Sequence, residues 1–234
     1  RMEVGGIESF GEAFPSSRYE HTAEENLHIL KHYPLRDLDE LRDRFQPVIF
    51  HRWAQDHSQG VQSLVSGLNS LYWDYFAQRL RIPVAALTGF HGMDVPQSSF
   101  TIGIDEPDII QQKVKEAEDY PILKVKLGTD RDEEIMSLIR DITDKPVRVD
   151  ANEGWSPEEA LEKIQWLTTQ NVQFVEQPLP AKSFVAMRNL YEQSPLPLFA
   201  DEDCIIPSDL PQLMDCYHGI NIKLVKCGGI TPAI

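Results

Sequence analysis

The chain has 234 residues, and 37 acidic side chains against 22 basic ones leave a formal net charge of −15. That balance repels phosphate backbones and anionic lipid surfaces, which argues against nucleic acid or a membrane as partner. No apolar run approaches the roughly 18 residues of a membrane span, and no secretory leader pattern is visible.

Along the chain, residues 4–13 read as a hairpin remnant. Helical patterns follow at about 22–32, 35–45 and 59–80; in the last, Val61, Leu64, Val65, Leu68, Leu71, Tyr72 and Phe76 recur at helical spacing. Pro83 and the turn-rich stretch 89–99 mark a boundary, so residues 1–97 are expected to form a small, partial α+β domain. From residue 98 onward the pattern changes to short apolar runs alternating with helices. One helix is expected at 131–140, with Ile135, Leu138 and Ile139 on one face. Another starts at Ser156-Pro157-Glu158-Glu159, with Ser at the N-cap, Pro at the first helical position and Glu three residues on; Ala160, Leu161, Ile164 and Leu167 form its apolar stripe.

Five charged residues end these runs at nearly even intervals: Lys126, Asp150, Glu176, Asp201 and Lys223, with steps of 24, 26, 25 and 22 residues. About 25 residues is one strand, one helix and two loops. Parallel strands of this kind close into a (β/α) barrel of the TIM type, whose C-terminal strand ends converge on one mouth; a doubly wound open sheet would spread them along an edge. A charge at the end of a buried strand is costly unless something binds it. Three carboxylates bracketed by two lysines therefore describe a metal site with a base on either side. About six strand units fit in residues 98–234 where a closed barrel needs eight, so the barrel is expected to be incomplete.

The remaining chemistry-bearing residues carry less. Cys204, Cys216 and Cys227 are odd in number and lack metal-type spacing, so they read as small core residues of a protein in a reducing cytoplasm. The seven histidines include no HExxH pair. A non-catalytic barrel acting as a scaffold is the reading from another class, and the retained trio and lysines argue against it.

Taken together, Lys124-Val125-Lys126, Asp150-Ala151-Asn152-Glu153-Gly154-Trp155, Val175-Glu176-Gln177-Pro178, Ala200-Asp201-Glu202 and the stretch 221–230 resemble the enolase superfamily. The muconate-lactonizing branch, and within it dipeptide epimerases, is the most similar. Residues 11–19 and 101–105 support that narrower match, which implies substrate contacts at Arg18 and Thr101.

The resemblance implies a Mg²⁺-dependent isomerase that removes the proton α to a carboxylate and passes through an enediolate. Asp150, Glu176 and Asp201 would be the hard oxygen ligands of Mg²⁺. Lys126 and Lys223 would be the acid/base pair and Lys124, two residues deeper on the same face, an electrostatic helper. Mutual repulsion and the metal are expected to lower the lysine pKa toward the working range.

Asn152 would orient a ligand or bond a base, and Glu202 or Asp203 would pair with a lysine. Arg148 should point inward below Asp150 and need a carboxylate partner. Trp155 is expected to be packing, and Lys226 a solvated charge. The partner implied is a small-molecule carboxylate, a dipeptide first, acted on by a homo-oligomer. o-Succinylbenzoate synthase, muconate cycloisomerase and N-acylamino acid racemase are the alternatives that share the same lysine and metal set.

Overall fold

Two glycines at a tight turn start the chain: β1 (Met2–Val4) pairs antiparallel with β2 (Ile7–Ser9) across Gly5-Gly6. The computed structural model describes residues 1–16, 22–33, 46–90 and 95–234. The helix expected at 35–45 and the expected substrate contact Arg18 lie outside the described residues. The chain divides into two compact units, Arg1–Asp94 with Ile222–Ile234, and Val95–Asn221.

In the first unit, helix Ala23–Lys31 is capped by Thr22, whose hydroxyl accepts from Glu25 N. The long helix runs Gln62–Leu80. It starts later than the expected 59, because Gln59 and Gly60 turn through left-handed conformations with φ of 53° and 84°. Helix Pro47–His57, which the sequence reading did not anticipate, has Pro47 at its first position and buries Phe50 and Ala54. Phe50 stacks on Tyr72 of the long helix with ring centroids 4.1 Å apart. Val65 and Tyr75 complete that core.

The segment Ile222–Ile234 belongs to this same unit. Its helix Leu224–Cys227 packs on Gln62–Leu80, and Thr231 Oγ1 accepts from Asn69 Nδ2 at 2.8 Å and Trp73 Nε1 at 3.0 Å. Gly229 (φ 116°) is required here, since a Cβ would lie 2.5 Å from Asn69 Oδ1. Lys226 departs from expectation. It is 2% exposed rather than solvated, because its helix turns inward against the long helix.

The second unit is a parallel sheet of six strands in chain order: β3 (Ser99–Ile102), β4 (Ile122–Lys126), β5 (Val147–Asp150), β6 (Val172–Glu176), β7 (Leu198–Ala200) and β8 (Gly219–Ile220). The strands alternate rather than being apolar throughout. Leu123, Val125, Val147, Val149, Val175, Leu198 and Ala200 share a core with Ile110, Ile135, Met136, Ile139, Ala160, Ile164 and Met187 from the intervening helices. Period-2 alternation turns Lys124, Lys126, Arg148, Asp150, Phe174 and Glu176 to the opposite face. Helix Pro157–Leu167 begins with the expected reciprocal cap: Ser156 Oγ accepts from Glu159 N, and Glu159 Oε2 accepts from Ser156 N at 3.1 Å. Cys204 and Cys216 are buried and in no disulfide, as is Cys227 of the first unit. No helix among the described residues is long and apolar enough to cross a membrane.

The loops after β4 and β5 are locked together. Asp132 is buried; its Oδ1 accepts from Gly128 N (2.9 Å) and Thr129 N (2.8 Å), and its Oδ2 from Trp155 Nε1 (2.8 Å) and Lys163 Nζ (2.6 Å). With the Thr129 hydroxyl also donating to Oδ1, five donors on one carboxylate satisfy a charge that burial would otherwise penalise. The two backbones cross at Gly128 and Gly154, where a Cβ on Gly154 would lie 2.5 Å from Gly128 Cα and closer still to its carbonyl oxygen. Gly154→Ala should cost about 2–3 kcal/mol, since backbone rather than a side chain must give way. Urea unfolding of the full-length protein measures this, and a change under about 0.5 kcal/mol would contradict the crossing.

Candidate metal centre

Strand register builds the centre. Lys126 pairs with Asp150 and Asp150 with Glu176, so three successive strands end in one row. The next row down is Thr101, Lys124, Arg148 and Phe174. β7 ends one residue before Asp201, which extends the cluster to a fourth strand. One carboxylate oxygen from each of Asp150, Glu176 and Asp201 lies within 4.8 Å of the other two, and the residues are 0%, 3% and 0% exposed. Three buried carboxylates that close repel one another unless cations stand among them. The donor set is oxygen only and acidic, which fits a hard divalent cation.

Protein cations already reach this cluster. Lys124 Nζ bridges Asp150 Oδ2 (2.9 Å) and Glu176 Oε2 (2.7 Å), and Lys126 Nζ donates to Asp150 Oδ2 (2.6 Å) and Asn152 Oδ1 (2.8 Å). Burial favours the neutral amine at Lys124, but Asp150 and Glu176 outweigh it and hold its pKa above the ordinary lysine value. The lowering expected from the sequence assumed a bound cation as well as a neighbouring lysine. A divalent cation on the same carboxylates would push it back down. Burial also acts on Asp150, yet the two lysines keep its carboxyl below the usual range. Glu176, buried and beside Asp150, is raised despite Lys124.

Other expected residues fall as follows. Asn152 contacts Lys126, and its N–H donates to Asp150 Oδ1 at 3.1 Å. Thr101 is exposed in β3, level with Lys124. Glu202 is half-buried directly after Asp201. Asp203 is buried and meets Gln177, Tyr217 and Lys182 N rather than the expected lysine side chain. Arg148 stacks over Phe174, 5.4 Å from the ring centroid, and its Nε donates to the Gln173 side chain (3.0 Å) rather than to a carboxylate. Trp155 is buried and anchored on Asp132. Lys223 has extended backbone just before helix Leu224–Cys227, in the first unit.

Two participants escaped the sequence reading. Asn221 Nδ2 donates to Glu176 Oε1 at 2.7 Å. Its position just past β8 was the available signal. The other is Gln177, fully buried beside Glu176. Backbone strain collects here as well: Asn152, Glu153 and Gln177 take left-handed conformations with φ of 46°, 68° and 39°.

Parallel β/α units whose strand ends gather three carboxylates and two lysines define part of an acidic-centred (β/α) barrel. The chain belongs to the enolase superfamily, with residues 109–234 matching the enolase C-terminal domain-like family. It is 35% identical to the L-Ala-D/L-Glu epimerase of Bacteroides thetaiotaomicron, over 99% of this chain and 60% of that one. It is 34% identical to the L-Ala-D/L-amino acid epimerase of a Maribacter species, over 100% of this chain and 68% of that one. Among solved structures, the dipeptide epimerase of Cytophaga hutchinsonii complexed with Mg and D-Ala-L-Val superposes with a TM-score of 0.74 at 29% identity, covering 81% of this chain and 54% of that one. The chain thus spans well under the full length of the Bacteroides relative.

Proposed function

We propose that the full-length protein is a Mg²⁺-dependent dipeptide epimerase that inverts the α-carbon next to the substrate's free carboxylate. The observation that carries this reading is the cluster of three buried carboxylates at successive strand ends with Lys126 hydrogen-bonded into it. The names of the similar proteins supply the substrate class. In a dipeptide, the carbon α to the carboxylate is that of the second residue.

Asp150, Glu176 and Asp201 would hold the cation, which when bound neutralises charge developing on the substrate carboxylate. Lys126, fixed by Asp150 and Asn152, would take the α-proton on one face, and Lys223 would return one on the other. Lys124 would keep positive charge beside the trio. Asn152 and Asn221 would orient Lys126 and Glu176 respectively, and Glu202 would contribute negative charge beside Asp201. Thr101 and Arg18 would contact the substrate. A homo-oligomer in the cytoplasm suits the net charge of −15 and the three reduced cysteines.

The test incubates full-length protein with L-Ala-L-Glu and with apolar dipeptides in D₂O, followed by NMR. Loss of the α-proton signal with appearance of the epimer is expected, abolished by EDTA and restored by Mg²⁺. Turnover of a succinylbenzoate precursor or an N-acylamino acid, with all dipeptides inert, would sink the dipeptide reading.

A further inference from the structure

Gln177 is an uncharged residue with no surface exposure, yet it is bonded to every segment that carries a carboxylate of the centre. We infer that it is a positioning residue that sets the relative geometry of the three ligands. This rests on the reading of Asp150, Glu176 and Asp201 as cation ligands.

The geometry is specific. Gln177 follows Glu176 directly in sequence. Its backbone carbonyl accepts from Glu153 N at 2.9 Å, on the loop that follows Asp150. Its N–H donates to Phe199 O at 2.8 Å, on β7. Its side-chain Oε1 accepts from Asp201 N (3.0 Å) and Asp203 N (3.3 Å). One residue therefore ties the Asp150 loop, the Glu176 strand end and the backbone of Asp201 itself.

The amide orientation is enforced from the other side. Nε2 faces Leu179 O (3.0 Å), Asp203 Oδ2 (3.1 Å) and the Tyr217 hydroxyl (3.0 Å), and Tyr217 donates to Asp203 Oδ2 at 2.6 Å. An acceptor cannot face Asp203, so the oxygen must point at the two backbone N–H groups. Asp203 Oδ1 is taken by Lys182 N at 2.6 Å, which holds that carboxylate in turn. Gln177 also holds a left-handed backbone (φ 39°), a strained conformation at the strand end beside the centre. Networks satisfied this completely in a dry interior are rigid, and Mg²⁺ demands near-ideal octahedral geometry where Ca²⁺ tolerates a looser one.

The test measures calorimetric Mg²⁺ and Ca²⁺ affinities of full-length wild type, Gln177→Leu and Tyr217→Phe. Gln177→Leu should lose about 10- to 100-fold in Mg²⁺ affinity, the range typical of residues that orient metal ligands. Its Ca²⁺ affinity should fall less, so the Mg²⁺/Ca²⁺ preference narrows. Tyr217→Phe should shift the same way by roughly 2- to 10-fold, the worth of one hydrogen bond. It is the deciding variant if the leucine protein does not fold. A residue that only supports the fold would lower the melting temperature and leave both affinities and their ratio unchanged. That result overturns the inference while leaving the cation site standing. Failure of wild type to bind either cation overturns both.

Discussion

Replacing Glu176 by Gln in the full-length protein is expected to weaken Mg²⁺ binding by on the order of a hundredfold while leaving the fold in place. The exchange is isosteric, so volume is conserved in a position that is 3% exposed. It removes one of three negative charges whose oxygens cluster within 4.8 Å. The bare Coulomb attraction to a divalent cation is much larger than that loss implies, but the amide oxygen can still reach the cation and desolvation costs fall, so a net loss of roughly 3 kcal/mol is expected, about two orders of magnitude in Kd. Hydrogen bonding adds to the loss. Glu176 accepts from Lys124 Nζ on one oxygen and Asn221 Nδ2 on the other, at 2.7 Å each. A glutamine must turn its NH₂ toward one of these donors. Calorimetric titration of the metal-free protein with Mg²⁺ reads the effect, with circular dichroism as the check on folding. Equal affinity for wild type and variant would remove Glu176 from the ligand set and the cluster from the mechanism.

The convergence of Asp150, Glu176 and Asp201 was legible because it depends only on period. A charge recurring every 25 or so residues at the end of apolar runs must land on one end of a parallel sheet, whatever the loops do. The cap at Ser156 was legible for the same local reason, since its four residues contain both halves of the hydrogen-bond exchange. Helix Pro47–His57 was less so. Its mixture of Phe50, His51, Trp53 and His57 has no clean apolar stripe until Tyr72 and Tyr75 from the next helix are supplied as its partners.

Lys226 failed on a different count. Three residues after Lys223, which the sequence places at the end of an apolar run, a lysine reads as solvated, and only tertiary packing of a four-residue helix buries it. Gln177 was hidden, and Asp203 was given the wrong partner, because their contacts are made after the chain turns left-handed at the strand end, and no sequence period describes that turn. The lowered lysine pKa expected from the sequence assumed a bound cation, whereas the raised value at Lys124 belongs to the cation-free chain. There the charges nearest Lys124 are the carboxylates of Asp150 and Glu176, at 2.9 and 2.7 Å.

Lys126→Ala and Lys223→Ala in the full-length protein should each abolish epimerisation, by at least about 10³-fold in kcat, and should differ in isotope exchange. Removal of a positioned base costs on the order of 10²–10⁴-fold in proton transfer. Inversion also needs a proton delivered to the face opposite the one deprotonated. A protein retaining one base can still remove a proton on its own side and return a deuteron there. In D₂O each variant should therefore exchange the α-proton of only one dipeptide isomer, with retention of configuration, and the two variants should prefer opposite isomers. Lys126 is anchored by Asp150 Oδ2 at 2.6 Å and by Asn152 Oδ1 at 2.8 Å. Asn152→Ala should accordingly slow the exchange that depends on Lys126 and spare the exchange that depends on Lys223. Exchange of both isomers at equal rates in both lysine variants would mean that one group serves both faces. Unimpaired epimerisation in Lys223→Ala would assign that lysine an electrostatic role and leave Lys126 as the single base, the pattern of a lyase or dehydratase relative. The two-base assignment stands only if the isomer preference reverses between the variants, because no structural weakening of the protein can invert a stereochemical preference.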